Sequence, residues 1–416
     1  MDICIRRGSR QIGGSCVEIR QDEYRILIDF GLPLDAEGCD KKYLPEVPGL
    51  DGKDASLLGI LISHPHLDHF GLLSLVAPNI PVGMGPAARR ILTASASFLP
   101  DKFSVSSSGW NYDSGRPIEI GPFRVTPLLA DHSAYDAYSL LIEAAGKRLF
   151  YSGDIRAHGR KGSLFHRTLS KLPENIDALL LEGSSLGRVG NNDTFPSENQ
   201  IESDLIDIFN STEGLALVHC SAQNIDRIIS IFRACRQTGR KLVVDLYTAA
   251  ILEATGNRNI PQSDWPDVAL VVPQCQRIHV KKHSLFNLLE KHSRHRMYLE
   301  HLKEAPQRAT ILFRPLYIPD LEKHSGLLHN AVYIYSQWEG YWKEGKFENV
   351  ETFLSKNNIR KQSIHTSGHA SPADLHRFVE RMKPSKVVPI HSFLPERYSE
   401  LFPNVELHGD NEWWKV

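Results

Sequence analysis

At 416 residues the chain is longer than one typical domain and points to two or three, with enough length to bury a large core. Its 48 Lys and Arg nearly cancel its 49 Asp and Glu, so a nucleic-acid partner would have to be held by a local patch and not by the whole surface. The six cysteines (Cys4, Cys16, Cys39, Cys220, Cys235, Cys275) form no CxxC pair, which argues against a zinc ribbon or a disulfide framework and for a reduced, cytoplasmic setting. The N-terminal MDICIRRGSRQIGG lacks an apolar signal core, and no run approaches the ~18 apolar residues of a membrane span, so a soluble protein with no membrane partner is expected.

In chain order, CVEIR, RILIDFG, LGILISHPHLDH, FRVTPLLADHS, YSLLIEAAGKRLFYSGD and IDALLLEGSS read as β-rich runs that stop at Gly, His or Asp. Strands of this kind deliver polar side chains to one rim, and a helix such as GPAARRILTASASFL covers a sheet face. From Pro196 the texture changes. SENQIESDLIDIFNSTE and NIDRIISIFRACRQTG read as helices, GLALVHCS and RKLVVDL as strands, together a βαβ-like unit. After about Gly345 the histidines return at strand ends, in SIHTSGHAS and KVVPIHS around the helix PADLHRFVERMK. The fold class is therefore α/β, with residues 188–350 expected as an α/β insertion between residues 1–187 and 351–416 of a metal-rich domain.

HPHLDH carries the chemistry. At a strand end alternate residues share a side, so His64 and His66 can converge on one ion, and after the turn Asp68 and His69 can address a second. Imidazole plus carboxylate suits zinc, and manganese where carboxylate and water complete the shell. Four ligands cannot complete a two-metal site. His132, Asp154 and His391, each following an apolar run, supply the rest, and Asp154 can bridge because a carboxylate has two oxygens.

With Asp29 in LIDFG, this series resembles the metallo-β-lactamase superfamily, whose fold is a four-layered αββα sandwich. The resemblance implies two zinc ions, with manganese as the alternative: His64, His66 and His132 on the first, Asp68, His69 and His391 on the second, Asp154 between them and Asp29 supporting. Glu182, His369 and His391 resemble motifs A, B and C of the β-CASP nucleases, and residues 188–350 resemble their inserted cap. That group includes ribonuclease J and the cleavage and polyadenylation endonuclease. It implies a two-metal phosphodiesterase acting on RNA, since histidine at motif C goes with RNA substrates. Asp68, His369 and Glu182 are the expected catalytic residues; His365, Ser367, Gly368 and His369 are the expected phosphate cradle. EGSSLGR departs from the commoner ESTYG, and no long C-terminal extension of the ribonuclease J kind follows. A single-stranded DNA nuclease, a small-molecule metallo-hydrolase and a non-catalytic scaffold stay as alternatives, and self-association stays open. Arg156, His158 and Arg160 read as a solvated basic loop, with phosphate contact as the alternative. Residues 277–314, with nine Lys or Arg against three Glu, are the candidate source of local phosphate attraction.

Overall fold

The structure is a computed structural model and describes residues 1–98, 108–171 and 175–416. It divides into two compact units, Met1–Phe195 with Gly368–Val416, and Pro196–Ser367.

The first unit holds two six-stranded sheets. One runs in the order Trp413–Lys415, Asp2–Arg7, Cys16–Gln21, Tyr24–Ile28, Leu57–Leu61, Val82–Gly83, antiparallel up to Tyr24–Ile28 and parallel beyond it. The other runs Lys386–Ile390, Ala178–Glu182, Lys147–Tyr151, Tyr138–Ala144, Phe123–Leu129, Ile118–Ile120, with its first three strands parallel. Successive residues of a strand point to opposite faces. In Ala178–Glu182, Ala178 and Leu180 join Ile3, Val17, Ile26 and Leu140 between the sheets. Leu179 and Leu181 face the other way and pack with Leu375, Phe378 and Val379 of helix Pro372–Met382. Such a strand is apolar at nearly every position because both its faces are covered. Leu92 of helix Pro86–Ala96 packs with Leu27, Ile60 and Val82 on the outer face of the first sheet. Leu99, the last residue of that helix as read from sequence, lies outside the described residues. The layers are the αββα sandwich expected.

The second unit is a six-stranded, wholly parallel sheet in the order Val268–Leu270, Lys241–Val244, Ala309–Phe313, Ala216–His219, Val332–Tyr335, Arg360–Ser363. Helix Glu198–Ser211 precedes its first strand in sequence, and Ile225–Gln237 and Leu246–Ala254 lie between strands; the first is capped by Ser197 and the third by Asp245. Its bounds differ from residues 188–350: the unit begins at Pro196 and runs on to Ser367. Strand Arg360–Ser363 pairs in parallel with Val332–Tyr335 and so belongs to this sheet. Its sequence, RKQS, carries no apolar signal because it is an exposed edge. Among the described residues no helix is long and apolar enough to cross a membrane.

His219 closes strand Ala216–His219, buried against the rings of Phe313, Tyr333, Tyr335 and Phe347 and hydrogen-bonded to the Tyr333 hydroxyl. Burial, reinforced by the Arg314 charge, presses its pKa down to about 4. A depressed histidine stabilises the fold fully above the unfolded value near 6.5, and that contribution is lost as pH falls from there towards 4. Chemical denaturation at pH 7.5 and pH 5 is expected to show His219→Asn losing about 2 kcal/mol less stability over this interval than the parent chain.

Candidate metal centre

Seven of the eight metal-centre residues expected from sequence meet at the rim where the strands of the first unit end. The ligand atoms of His64, His66 and His132 lie within 4.8 Å of one another, as do those of Asp68, His69, Asp154 and His391. Asp154 stands between the groups. Its Oδ2 is 3.5 Å from His64 Nε2, 3.3 Å from His69 Nε2, 3.8 Å from His132 Nε2 and 3.9 Å from His391 Nε2. The donor set fits divalent cations on a direct observation. His64 Nε2, His69 Nε2, His132 Nδ1, His391 Nε2 and Asp154 Oδ1 are buried without a hydrogen-bond partner. Each such group costs roughly 1–3 kcal/mol unless something compensates it.

Local backbone aims these side chains. Asp29, the eighth residue, ends strand Tyr24–Ile28 at φ 57°, and His391 follows Lys386–Ile390 at φ 53°. Both lie in the left-handed region, where a non-glycine side chain persists only if its surroundings hold it. Asp29 is held by four donors. Its Oδ1 accepts from Ser63 N at 2.7 Å, and its Oδ2 from Ser63 Oγ at 2.8 Å, the Tyr151 hydroxyl at 2.7 Å and His69 Nδ1 at 2.7 Å. Asp29 therefore fixes the His69 ring with Nε2 turned to Asp154, the carboxylate–imidazole support typical of metal histidines. Ser15 Oγ lies 2.9 Å from His391 Nδ1 and orients that ring in the same way. Gly31 permits the approach of the ligand turn, since a Cβ there would stand 1.7 Å from the Asp68 carbonyl oxygen. Ser15, Ser63 and Tyr151 escaped sequence reading: a lone Ser or Tyr beside a strand carries no pattern, although GGS precedes Cys16.

Electrostatics separates the imidazoles. Burial holds His64 and His132 well below the ordinary histidine range and His66 at about 4, with neighbouring imidazoles adding to the effect. For His69, burial is outweighed by Asp154, Asp29 and Asp68, which hold it well above that range. Asp154 is kept well below the usual carboxylate range: burial opposes its charge, but His391, His69 and His369 prevail.

His369 lies beside the cluster, with Nδ1 3.1 and 3.3 Å from the two Glu182 oxygens and 3.7 Å from Asp154 Oδ2. It also forms a third close set with His132 and Asp154, yet its Nδ1 is taken by Glu182. Burial lowers its pKa, but Glu182 and Asp154 raise it further, to about 9. Glu182 also accepts from Ile155 N at 3.0 Å and Ser184 N at 3.2 Å. A Cβ on Gly368 would meet Ser133 Oγ at 2.7 Å and lie 3.5 Å from His132 Cε1, so Gly368 is at the cluster. His365 and Ser367 fall in the stretch assigned to the second unit.

Arg156 is not part of a solvated basic loop. It is fully buried, its Nε pairs with Asp131 Oδ1 at 3.3 Å, and its backbone N donates to the Asp131 carbonyl at 2.7 Å. Asp131 also accepts from Gly159 N at 2.9 Å. The pair ties the loop before His132 to the loop after Asp154. His158 is buried too, beside the Phe195 ring. Within residues 277–314, Arg277, Lys291 and Arg314 are in ion pairs with Asp320, Glu253 and Asp245.

Residues 24–189 match the beta-lactamase superfamily domain, and residues 358–392 match a Zn-dependent metallo-hydrolase RNA specificity domain. The chain is 23% identical over 388 residues to a protein named ribonuclease J from Sinorhizobium meliloti, covering 88% of this chain and 63% of that one. It is 21% identical over 411 residues to ribonuclease J from Helicobacter pylori, covering 92% and 55%. It thus spans 55% to 63% of the length of these two relatives. A solved protein of unknown function from Enterococcus faecalis V583 superposes with a TM-score of 0.78 at 18% identity over 99% of each chain, a likeness of fold.

Arg156→Met is expected to cost about 3–5 kcal/mol, because the Asp131 charge stays buried without its partner. A denaturant titration reads this directly, and a parent-like midpoint would mean that Arg156 is not structural.

Proposed function

We propose that this chain, which is similar to the metallo-β-lactamase superfamily and to the ribonuclease J proteins of the β-CASP type, is a two-metal phosphodiesterase that hydrolyses RNA. The observation that carries the reading is His369, an imidazole held by Glu182 next to the buried Asp154 carboxylate. The match of residues 358–392, which contain both His369 and His391, to an RNA specificity domain supports it.

His64, His66 and His132 would hold one cation and Asp68, His69 and His391 the other, with Asp154 close to both sets. Zinc or manganese would supply the positive charge that neutralises phosphate oxygens and makes water acidic enough to lose a proton near neutral pH. Asp29 and Ser15 keep the Nε2 atoms of His69 and His391 facing inward. His369 donates a proton to the departing oxygen and regains one from solvent, while Glu182 holds its ring in place and favours its protonated form. Gly368, beside His369, brings its backbone N–H to the phosphate.

Metal analysis after zinc or manganese loading is expected to return two ions per chain. Asp154→Asn should lose more metal than any single histidine replacement, because both ions lose a charged ligand. His369→Ala should keep both ions yet slow RNA turnover by about 100- to 10,000-fold, the usual contribution of a positioned acid. His391→Ala should lose or weaken one ion and recover partly at high metal concentration. Digestion of 5′-monophosphate, 5′-triphosphate and circular RNAs beside single-stranded DNA tests the substrate class. Cleavage of DNA alone would move the reading to a DNA nuclease, and hydrolysis confined to small esters would refute it.

A further inference from the structure

Two loops that carry site residues are braced against each other. The loop after Glu182 and the loop after His391 exchange hydrogen bonds, from Ser184 Oγ to the His391 carbonyl and from Ser392 Oγ to the Gly183 carbonyl, each 3.3 Å. Tyr398 locks them further: its hydroxyl donates to the Leu181 carbonyl at 2.9 Å, and its ring fills the space a Gly183 side chain would need. Gly187, at φ 78°, leaves room for Leu394. On this fixed base stands Phe393, 52% exposed, two residues from the fully buried His391. Arg188 from the facing loop lies over its ring, 5.5 Å from the centroid.

A single exposed apolar side chain is ordinary on a protein surface. Three features set this one apart. Buried hydrogen bonds hold His391 and Ser392 just before it and Leu394 N donates to Ser392 Oγ just after it, so the exposure is not the freedom of a loose loop. Its neighbour is a guanidinium, and a flat cation beside a flat ring is the pairing on which unpaired bases stack. It also stands two residues along the chain from His391, a candidate metal ligand. The turn of His66 and Asp68 exposes an apolar residue as well, Leu67 at 56%. Apolar side chains such as these do not hold phosphate and suit the face of a base.

We propose that Phe393 and Arg188 form a stacking site for the nucleobase adjoining the scissile phosphate, so that the protein selects single-stranded RNA. The proposal rests on the RNA-hydrolysis reading above. It assigns Phe393 a positioning role, separate from the bond-breaking groups.

The test uses the metal-loaded full chain, a single-stranded RNA oligonucleotide and a set of the same oligonucleotide with one abasic ribose moved along it. Phe393→Ala is expected to raise KM about 5- to 100-fold on the intact oligonucleotide, the range for losing one stacked base, with kcat and metal content nearly unchanged. Phe393→Trp should restore KM, and Arg188→Ala should give a smaller loss of the same kind. One abasic position should reproduce the loss in the parent chain, and Phe393→Ala should then add nothing further to it. If Phe393→Ala leaves KM unchanged, or lowers cleavage of intact and abasic RNA by the same factor, the stacking site is overturned while the nuclease reading stands. If the parent chain cleaves none of these RNAs, the nuclease reading falls and the stacking site with it.

Discussion

The constraint on which the first unit is built is the burial of the Asp154 carboxylate among imidazoles. Its Oδ2 stands within 3.9 Å of nitrogens of His64, His69, His132, His391 and His369, and its Oδ1 has no hydrogen-bond partner. An isolated buried carboxylate is costly enough that proteins either neutralise it or surround it with compensating charge. Here the compensation is divided. Nearby carboxylates favour positive charge at His369 and at His69, where a bound cation would take the proton's place, while burial favours the neutral form of His64, His66 and His132, with lone pairs available. Divalent cations fit that division, because they satisfy the neutral imidazoles and the carboxylate together.

Much of the surrounding structure can be understood as support for this arrangement. The ligands come from the ends of strands far apart in sequence, and their side chains meet because each backbone turns sharply there. Two of the turns use left-handed residues that are not glycine, Asp29 and His391, and each is tied down by buried polar partners. Asp131 and Arg156 play the same part between the loops of His132 and Asp154. An ion pair with both members fully buried adds little net stability, but it penalises any arrangement that separates the two loops.

How far the sequence spoke for itself depended on the kind of interaction. HPHLDH was legible because ligand identity and strand-end spacing are local, and His132, Asp154 and His391 followed because each ends an apolar run. The alternation of buried strands and amphipathic helices likewise announced an α/β chain. Residues that act through a partner distant in sequence were silent. Ser15 meets His391 across 376 positions and Tyr151 meets Asp29 across 122. Arg156 read as a surface cation because nothing nearby in sequence reveals its pairing with Asp131. The N-terminal strand Asp2–Arg7 gains its second partner from Trp413–Lys415 at the far end of the chain, which no local pattern reports. The boundary expected near 350 failed for a related reason: the last strand of the second unit is a polar edge, and an edge does not need the apolar alternation that marks strands inside a sheet.

Glu182 joins the metal cluster to the imidazole beside it. It ends a fully buried strand, so its carboxylate is fixed by the core between the sheets, and it divides its oxygens between three groups. It accepts from Ile155 N, which sets the loop of Asp154, from Ser184 N, which sets its own loop, and from His369 Nδ1. A shift of Asp154 would therefore move the acceptor that holds His369, and a shift of His369 would strain the loop that presents Asp154. The approach of the ring to the Asp154 carboxylate is thus governed by one buried side chain. That coupling gives Glu182 the role of holding the Asp154 loop and the His369 ring in register.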